Sequence, residues 1–349
     1  MQKAELEPVV LRHEASALEA EFVPGAGMLC RSLTHRSEQL LAQNAGLAAY
    51  AATGKTMAMP LLYPWANRLS AFDYRVAGRT VRLPHDPSRV RVDGNGLPIH
   101  GVVGGRIAWQ REAAPVAGET AAQAERAAAQ AERAAGEDAL AASLRWSEAA
   151  QRELFEAFPF EHELRYVARL RGGALEIELS VHACGGEQVP LCFGFHPYLV
   201  LPGAARERWR IELPAMSALA LDSRQIPTGA SRALPAQRFE LDARELDDAY
   251  ADVDEDARFA VSGGGRRIEV RLRRGFTHAQ VFAPGGAQTV CFEPMCAPAD
   301  ALRSGVGLRL LEPGERFAAR FAIVVADADA DADAEAEAEA GAGAEAGAG

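Results

Sequence analysis

Three segments place a titratable side chain beside backbone-special residues in otherwise apolar surroundings. In TVCFEPMCAP, Glu293 is the only charge between Thr289 and Pro298. Burying a carboxylate is costly unless it is paired or its proton affinity rises. Glu293 is therefore either ion-paired with an arginine from elsewhere in the chain or kept as a general base tuned toward neutrality. In CFGFHPYLVLPG, His196 precedes Pro197, which cannot donate a ladder hydrogen bond. The strand ends or lies at an edge there, and an imidazole stands at a sheet rim. In LPIHGVVG, His100 is followed by Gly101 and a β-branched pair. A lone histidine among apolar residues is commonly a satisfied core residue, and singly none of the three decides anything.

Other chemistries leave no mark. The chain has no GxSxG elbow, no GxxxxGK phosphate loop and no HExxH helix. The glycine-rich stretch DGNGLPIHGVVGG lacks the third glycine of a dinucleotide fingerprint at the right place and opens no helix. The five cysteines (Cys30, Cys184, Cys192, Cys291, Cys296) are odd in number and form no CxxC pair, which argues against a disulfide framework or a structural zinc site. Cys291 and Cys296 are most simply core thiols.

The elements that must position these groups are strands. In FEHELRYVARL, Phe160, His162, Leu164, Tyr166, Ala168 and Leu170 share one face, and Glu161, Glu163, Arg165 and Arg169 the other. Arg171, Gly172 and Gly173 form a turn, and ALEIELSV then alternates Leu175, Ile177, Leu179 and Val181 against Glu176, Glu178 and Ser180, so the two runs make a hairpin. The same period covers YRVAGRTVRL around Gly78, RRIEVRLRR at Ile268, Val270 and Leu272, and ERFAARFAIVV at Phe317, Phe321, Ile323 and Val325. Many one-faced strands punctuated by 32 Gly and 19 Pro predict an all-β chain, a large antiparallel β-sandwich in one domain over 1–325. Two segments stand outside it. An Ala/Glu/Arg stretch at about 113–142 repeats AAQAERA at 121–127 and 128–134 and is expected to be a solvent-facing helical or disordered insertion. Residues 326–349 alternate small and acidic residues and are expected to be a disordered tail.

With 48% hydrophobic and 24% charged residues over 349 positions, the composition is that of a folded globular protein. Of the formal charge of −11, eight units belong to the tail from Asp327 onward, leaving −3 on the remainder. No basic stripe is present to attract a phosphate backbone, so nucleic acid is excluded as a partner. No apolar run is long enough for a membrane span, and MQKAELEPVV lacks the features of a signal peptide, so a cytoplasmic protein is expected.

Taken together, PLLYPWANRLSAF, the His100–Gly101 pair, FPFEHELRYVARL, GFHPYLVLPG, LDDAY at 246–250 and CFEPMCAPADAL resemble, in order and spacing over roughly residues 20–325, the aldose 1-epimerase (galactose mutarotase) family. The resemblance implies a galactose mutarotase-like supersandwich with a sugar cleft on one sheet. It also implies roles: Glu293 as the base that takes the proton of the anomeric O1 hydroxyl, His196 as the acid that protonates the ring oxygen, and His100 as a second histidine that polarises that oxygen. Asn67, Arg68 and Asp247 would hold sugar hydroxyls. Many members have Asp followed by His where this chain has Asp247 and Asp248, so either acid can be the one that faces the sugar. The chemistry places a base and an acid on opposite sides of the hemiacetal and needs no cofactor and no metal.

The expected partner is a small-molecule sugar, bound by a monomer or homodimer. The expected activity is interconversion of the α and β anomers of a free aldohexose. The alternatives are the same reaction on a hexose 6-phosphate or another sugar, for which Arg89 and Arg91 are available as phosphate partners, and a carbohydrate-binding module without turnover.

Overall fold

The computed structural model describes residues 6–102, 104–112 and 138–328. Among these, two large antiparallel sheets dominate. A nine-stranded sheet runs in the order Gln237–Glu240, Arg210–Leu213, Arg258–Gly263, Arg266–Arg274, Arg316–Asp327, Ala174–His182, His162–Arg171, Asp138–Trp146, Gln110–Arg111. An eight-stranded sheet runs in the order Pro227–Leu234, Met216–Leu221, Leu246–Ala251, His278–Ala283, Val290–Met295, Gly194–Phe195, Leu61–Leu62, with Tyr198–Leu199 also paired to Val290–Met295. A four-stranded sheet formed by residues 9–39 adjoins them. Among the described residues no helix is long and apolar enough to cross a membrane.

The hairpin read from alternation forms as expected. Leu170 lies opposite Leu175, and Gly172 and Gly173 adopt φ values of 54° and 79°, the pair of left-handed residues that a two-residue turn matched to sheet twist requires. The apolar face of this hairpin is buried, and the core lies between the two large sheets. Phe195 of one sheet meets Phe321 and Tyr166 of the other at centroid distances of 4.9 and 5.9 Å, and Phe292 meets Phe259 at 5.8 Å. Because strand side chains alternate, the inward placement of Phe195 and Phe292 turns their neighbours His196 and Glu293 away from the core.

Two expected boundaries shift. Residues 138–142, assigned by their alanines to the insertion, begin the strand Asp138–Trp146, in which Leu140, Ala142, Leu144 and Trp146 are buried. Ala142 lies opposite Tyr166, where a small side chain leaves room for the ring, so packing overrides the helical preference of alanine. The last strand continues through Ala326 and Asp327, opposite Arg267 and Arg266, with Asp327 paired to Arg36 at 2.8 Å. The tandem heptads and the rest of the acidic tail lie outside the described residues.

His162 is packed, as its apolar face predicts. It is fully buried, stacks on Trp146 at 5.7 Å, and donates from Nδ1 to the Phe160 carbonyl at 2.7 Å, which leaves Nε2 to accept from the Tyr63 hydroxyl. Burial pulls its pKa down from 6.5 to about 3. The unfolded chain therefore binds an extra proton between those values. The stability this neutral histidine contributes is complete above pH 6.5 and is lost as pH falls toward 3, by about 1.4 kcal/mol per pH unit. His162→Gln, which keeps an acceptor for Tyr63, is expected to flatten the fall of Tm between pH 6.5 and 4. An unchanged slope would remove His162 from acid unfolding.

Candidate active site

Registration across the eight-stranded sheet collects the site on one face. Gln280 lies opposite Glu293, Phe282 opposite Cys291, Asp247 opposite Phe282, and Tyr198 opposite Cys291. Asp247, Gln280, Phe282, Cys291 and Glu293 therefore share the face turned away from the core, and Asp248, opposite Val281, takes the other face. Two loop segments complete the site. Residues 63–68 and 99–101 are bridged at Tyr63 to Gly101 and Arg68 to Ile99, and the His100 amide donates to the Asn67 carbonyl at 2.9 Å. Asn67 and His100 both adopt left-handed backbone, at φ values of 54° and 62°. Such conformations are uncommon without glycine and cost free energy that the surrounding contacts must offset.

At the centre, Nε2 of His196 lies 3.2 Å from Oε1 of Glu293, with both side chains almost fully buried. Among the described residues no arginine reaches ion-pair distance of Glu293, and Oε2 of Glu293 and Nδ1 of His196 have no partner. Of the two alternatives for this carboxyl, the structure shows the unpaired one. Burial and then the nearby Asp247 push Glu293 well above the usual carboxylate range, with Arg68 acting against them. Burial and then the Arg91 charge pull His196 down to about 3. Both groups are driven toward their neutral forms, so one proton serves the pair. The His196 ring lies flat on Tyr198 at 4.1 Å and meets His100 edge-on at 5.3 Å. His100 is half-buried with Nδ1 unpartnered, and burial, His196, Arg91 and Arg68 together hold it neutral. The base and the acid that the resemblance implies lie next to each other.

A ring of polar contacts surrounds the pair. Arg68 donates from Nε to Asp93 at 2.7 Å, from Nη1 to Asn67 Oδ1 at 2.9 Å, and from Nη2 to Asp247 at 3.5 Å. Asn67 Nδ2 donates to Gln280 Oε1 at 3.1 Å, and Gln280 Nε2 donates to Asp247 at 2.6 Å. For Asp93, burial alone would raise the carboxyl, but the amides of Leu97 and Asn95 and the Arg68 guanidinium outweigh it and hold it low. Asp247 keeps about a third of its side chain accessible, at 32%, and is the acid of the two placed to meet a ligand on this face.

Gln280, Asp93 and Tyr198 were not singled out by sequence. For Gln280 a signal existed, since it is the lone polar residue in AQVFA and falls on the face opposite Ala279, Val281 and Ala283. Trp65 is buried to 1% and belongs to the core. Cys291 is buried as expected, but on the site face rather than between the sheets. His196, Cys291 and Glu293 bring one nitrogen, one sulfur and one oxygen within 4.8 Å of one another. Burial, and then Glu293, keep the Cys291 thiol protonated far above its ordinary range, which suits it poorly to the thiolate bonding a soft metal requires. A larger depression of about 1010 Å³ lies on the nine-stranded sheet, but Arg145, Glu163, Arg165 and His182 within its wall are bonded to one another or to Glu112. It holds no unpaired acid–base set.

The two-sheet sandwich is the fold of solved galactose mutarotase-like proteins. A galactose mutarotase-like protein from Clostridium acetobutylicum superimposes with a TM-score of 0.73 at 14% identity, covering 93% of this chain and 100% of that one. Galactose 1-epimerase from Lactobacillus acidophilus gives a TM-score of 0.66 at 14% identity, covering 92% and 99%. Among curated sequences, the uncharacterized protein YihR of Escherichia coli K12 is 23% identical over 263 residues, 73% of this chain and 75% of its own length. The aldose 1-epimerase family profile matches residues 25–324, and the chain belongs to that family. Membership indicates an isomerase with mutarotase-type activity.

Proposed function

We propose that the site interconverts the α and β anomers of an aldohexose with a free anomeric hydroxyl, by opening and reclosing its pyranose ring. The observation that carries this reading is the buried Glu293–His196 contact at 3.2 Å, with one atom of each group left without a partner. Glu293 as carboxylate takes the O1 proton, the O1–H electron pair becomes the C1=O1 bond, and the C1–O5 bond breaks as His196 delivers its proton to O5. Both oxygens are bonded to C1, so an acid and a base side by side can serve them together. Rotation about C1–C2 presents the other carbonyl face, and the reverse transfers close the ring to the other anomer. His100, neutral and edge-on to His196, donates to the ring oxygen. Arg68, Asn67 and Asp247 hold ring hydroxyls through donors and acceptors already fixed by Asp93 and Gln280.

Polarimetry of freshly dissolved α-D-galactose and α-D-glucose tests the reading. The expected result is a saturable acceleration of the approach to anomeric equilibrium. Asp247→Asn is expected to raise KM about tenfold or more while changing kcat far less, as loss of a charged hydrogen bond used equally in ground and transition states does. No acceleration of any aldose would overturn the reading, and a loss confined to kcat would move Asp247 from holding the sugar to the chemistry.

A further inference from the structure

We propose that Tyr198 is a positioning residue for the acid: its ring holds the His196 imidazole in the orientation that keeps Nε2 beside Glu293, and Thr56 and Arg91 in turn hold Tyr198. The proposal rests on the anomer-interconverting reading above. A working imidazole is ordinarily oriented by a hydrogen bond at the ring nitrogen that does not react. His196 lacks one. Among the described residues its buried Nδ1 has no partner, while Nε2 faces Glu293 at 3.2 Å. Its amide donates to the Pro60 carbonyl at 3.2 Å, which fixes the backbone and leaves the ring free to turn. Packing must therefore set the ring plane.

Three rings pack on it. Phe282 and His100 meet it edge-on, at 5.9 Å and 84° and at 5.3 Å and 77°, and Tyr198 lies flat on it at 4.1 Å and 10°. The flat contact is the restraining one. A half-turn about the Cβ–Cγ bond of His196 would put Cε1 where Nε2 stands, and midway through it the ring stands perpendicular to Tyr198. A separation already close to van der Waals contact leaves no room for that. Alternation along an extended chain sends residues 196 and 198 to one face, which is how His196–Pro197–Tyr198 brings the two rings together.

Tyr198 can serve as a fixed plate because it is held at both ends. Its amide donates to the Ala58 carbonyl and its carbonyl accepts from the Ala42 amide, each at 2.8 Å. At the other end its hydroxyl shares a hydrogen bond of 2.7 Å with Thr56 Oγ1, and Arg91 Nη1 donates to that same oxygen at 3.2 Å. Asn44 Nδ2 donates to the Thr56 carbonyl at 3.1 Å, so the anchor is itself fixed. Burial, and then Cys291, raise the pKa of the Tyr198 hydroxyl above its ordinary range, despite Thr56 and Arg91. It stays protonated and committed to Thr56, which suits a support and not a carrier of protons to the sugar.

Polarimetry on the full chain tests the assignment, with α-D-galactose or α-D-glucose, whichever the unaltered protein turns over faster, and with kcat expressed per folded molecule from circular dichroism. Tyr198→Leu removes the plate. It is expected to lower kcat about a hundredfold, the scale of a misplacement of roughly an ångström, while KM changes less than about threefold. Tyr198→Phe keeps the plate and loses only its anchor, so kcat is expected to fall about three- to tenfold, the scale of one neutral hydrogen bond. Thr56→Val removes the same bond from the other side and should fall by a similar factor, with the double variant falling no further than Thr56→Val alone. A folded Tyr198→Leu protein with parental kcat overturns the proposal. So does a loss confined to KM, which would make Tyr198 a sugar contact, or a loss in Tyr198→Phe as large as in Tyr198→Leu, which would make the hydroxyl the active group. Should Tyr198→Leu fail to fold, parental kcat in both near-isosteric variants overturns it. Turnover that withstands Tyr198→Leu removes only the positioning role, whereas acceleration of no aldose by the unaltered protein overturns the anomer-interconverting reading with it.

Discussion

Replacing Glu293 by glutamine is expected to lower the catalysed rate by about a thousandfold or more and, at the same time, to raise the stability of the fold at neutral pH. The first effect follows from removing the base, since a carboxamide cannot take the O1 proton, while its shape still fills the site beside His196, Cys291, Asp247 and Arg68. The second follows from proton linkage. Burial, and then Asp247, hold the Glu293 carboxyl in its protonated form well above its ordinary value of 4.5, whereas the unfolded chain releases that proton near 4.5. Above 4.5 the folded state thus binds more protons than the unfolded one, and stability is lost as pH rises toward the folded-state pKa. Glutamine carries no such penalty. The gap in Tm between the variant and the parent protein should therefore widen from pH 5 to pH 7.5, while polarimetry reads the loss of turnover. A variant with parental turnover would dismiss Glu293 as the base, and a gap that narrows with pH would show that its carboxyl is not held neutral.

Gly101→Ala is expected to be the most damaging single methyl group in the site region. Gly101 has φ of +69°, and a Cβ there would lie 2.1 Å from the Tyr63 carbonyl oxygen, 2.3 Å from its carbon and 2.8 Å from the Pro64 nitrogen. These are backbone atoms and cannot swing aside. Tyr63 is itself fixed, with its ring buried at 5.5 Å from Trp146 and 6.1 Å from Phe158, and its hydroxyl on His162. The loop must move instead, which breaks the hydrogen bond between His100 and Asn67 and carries both away from His196. A loss of roughly 3 kcal/mol or more in stability is expected, with activity falling further than stability. Gly96→Ala is the control. It has a similar φ of +75° but open space around the added methyl, so it should cost only the backbone strain, about 1 kcal/mol. Denaturant melts and polarimetry on the two variants separate the terms, and equal losses would show that the contact with Tyr63 is unimportant.

What was legible in the sequence was whatever period two records. The hairpin from His162 to His182 forms at the expected turn, and Glu293 and His196 stood out because each interrupts an apolar run. The strand Asp138–Trp146 was hidden because its first residues are alanines, whose local preference is helical and whose fit against Val167 and Tyr166 exists only once the neighbouring strand is in place. The polar ring was hidden for a related reason. Asn67 and Gln280 lie 213 positions apart, and Arg68 and Asp247 lie 179 apart, so their contacts are products of sheet order rather than of local pattern. The resemblance put Asp247 first with Asp248 as its alternative; strand alternation sends the two to opposite faces, and only registration against Phe282 and Val281 shows that Asp247 takes the site face.

The closeness of Glu293 and His196 has an energetic reading of its own. To begin the proposed reaction the pair must stand as carboxylate and imidazolium, the form its buried surroundings disfavour. Ring opening leaves Glu293 protonated and His196 neutral, the form they favour. The tension lies in the ionised pair that must act on either cyclic anomer, and it relaxes when the aldehyde appears, so the surroundings of the pair favour the middle of the reaction over either end. Such a bias treats the two anomers alike, as a catalyst that must run equally well in both directions requires.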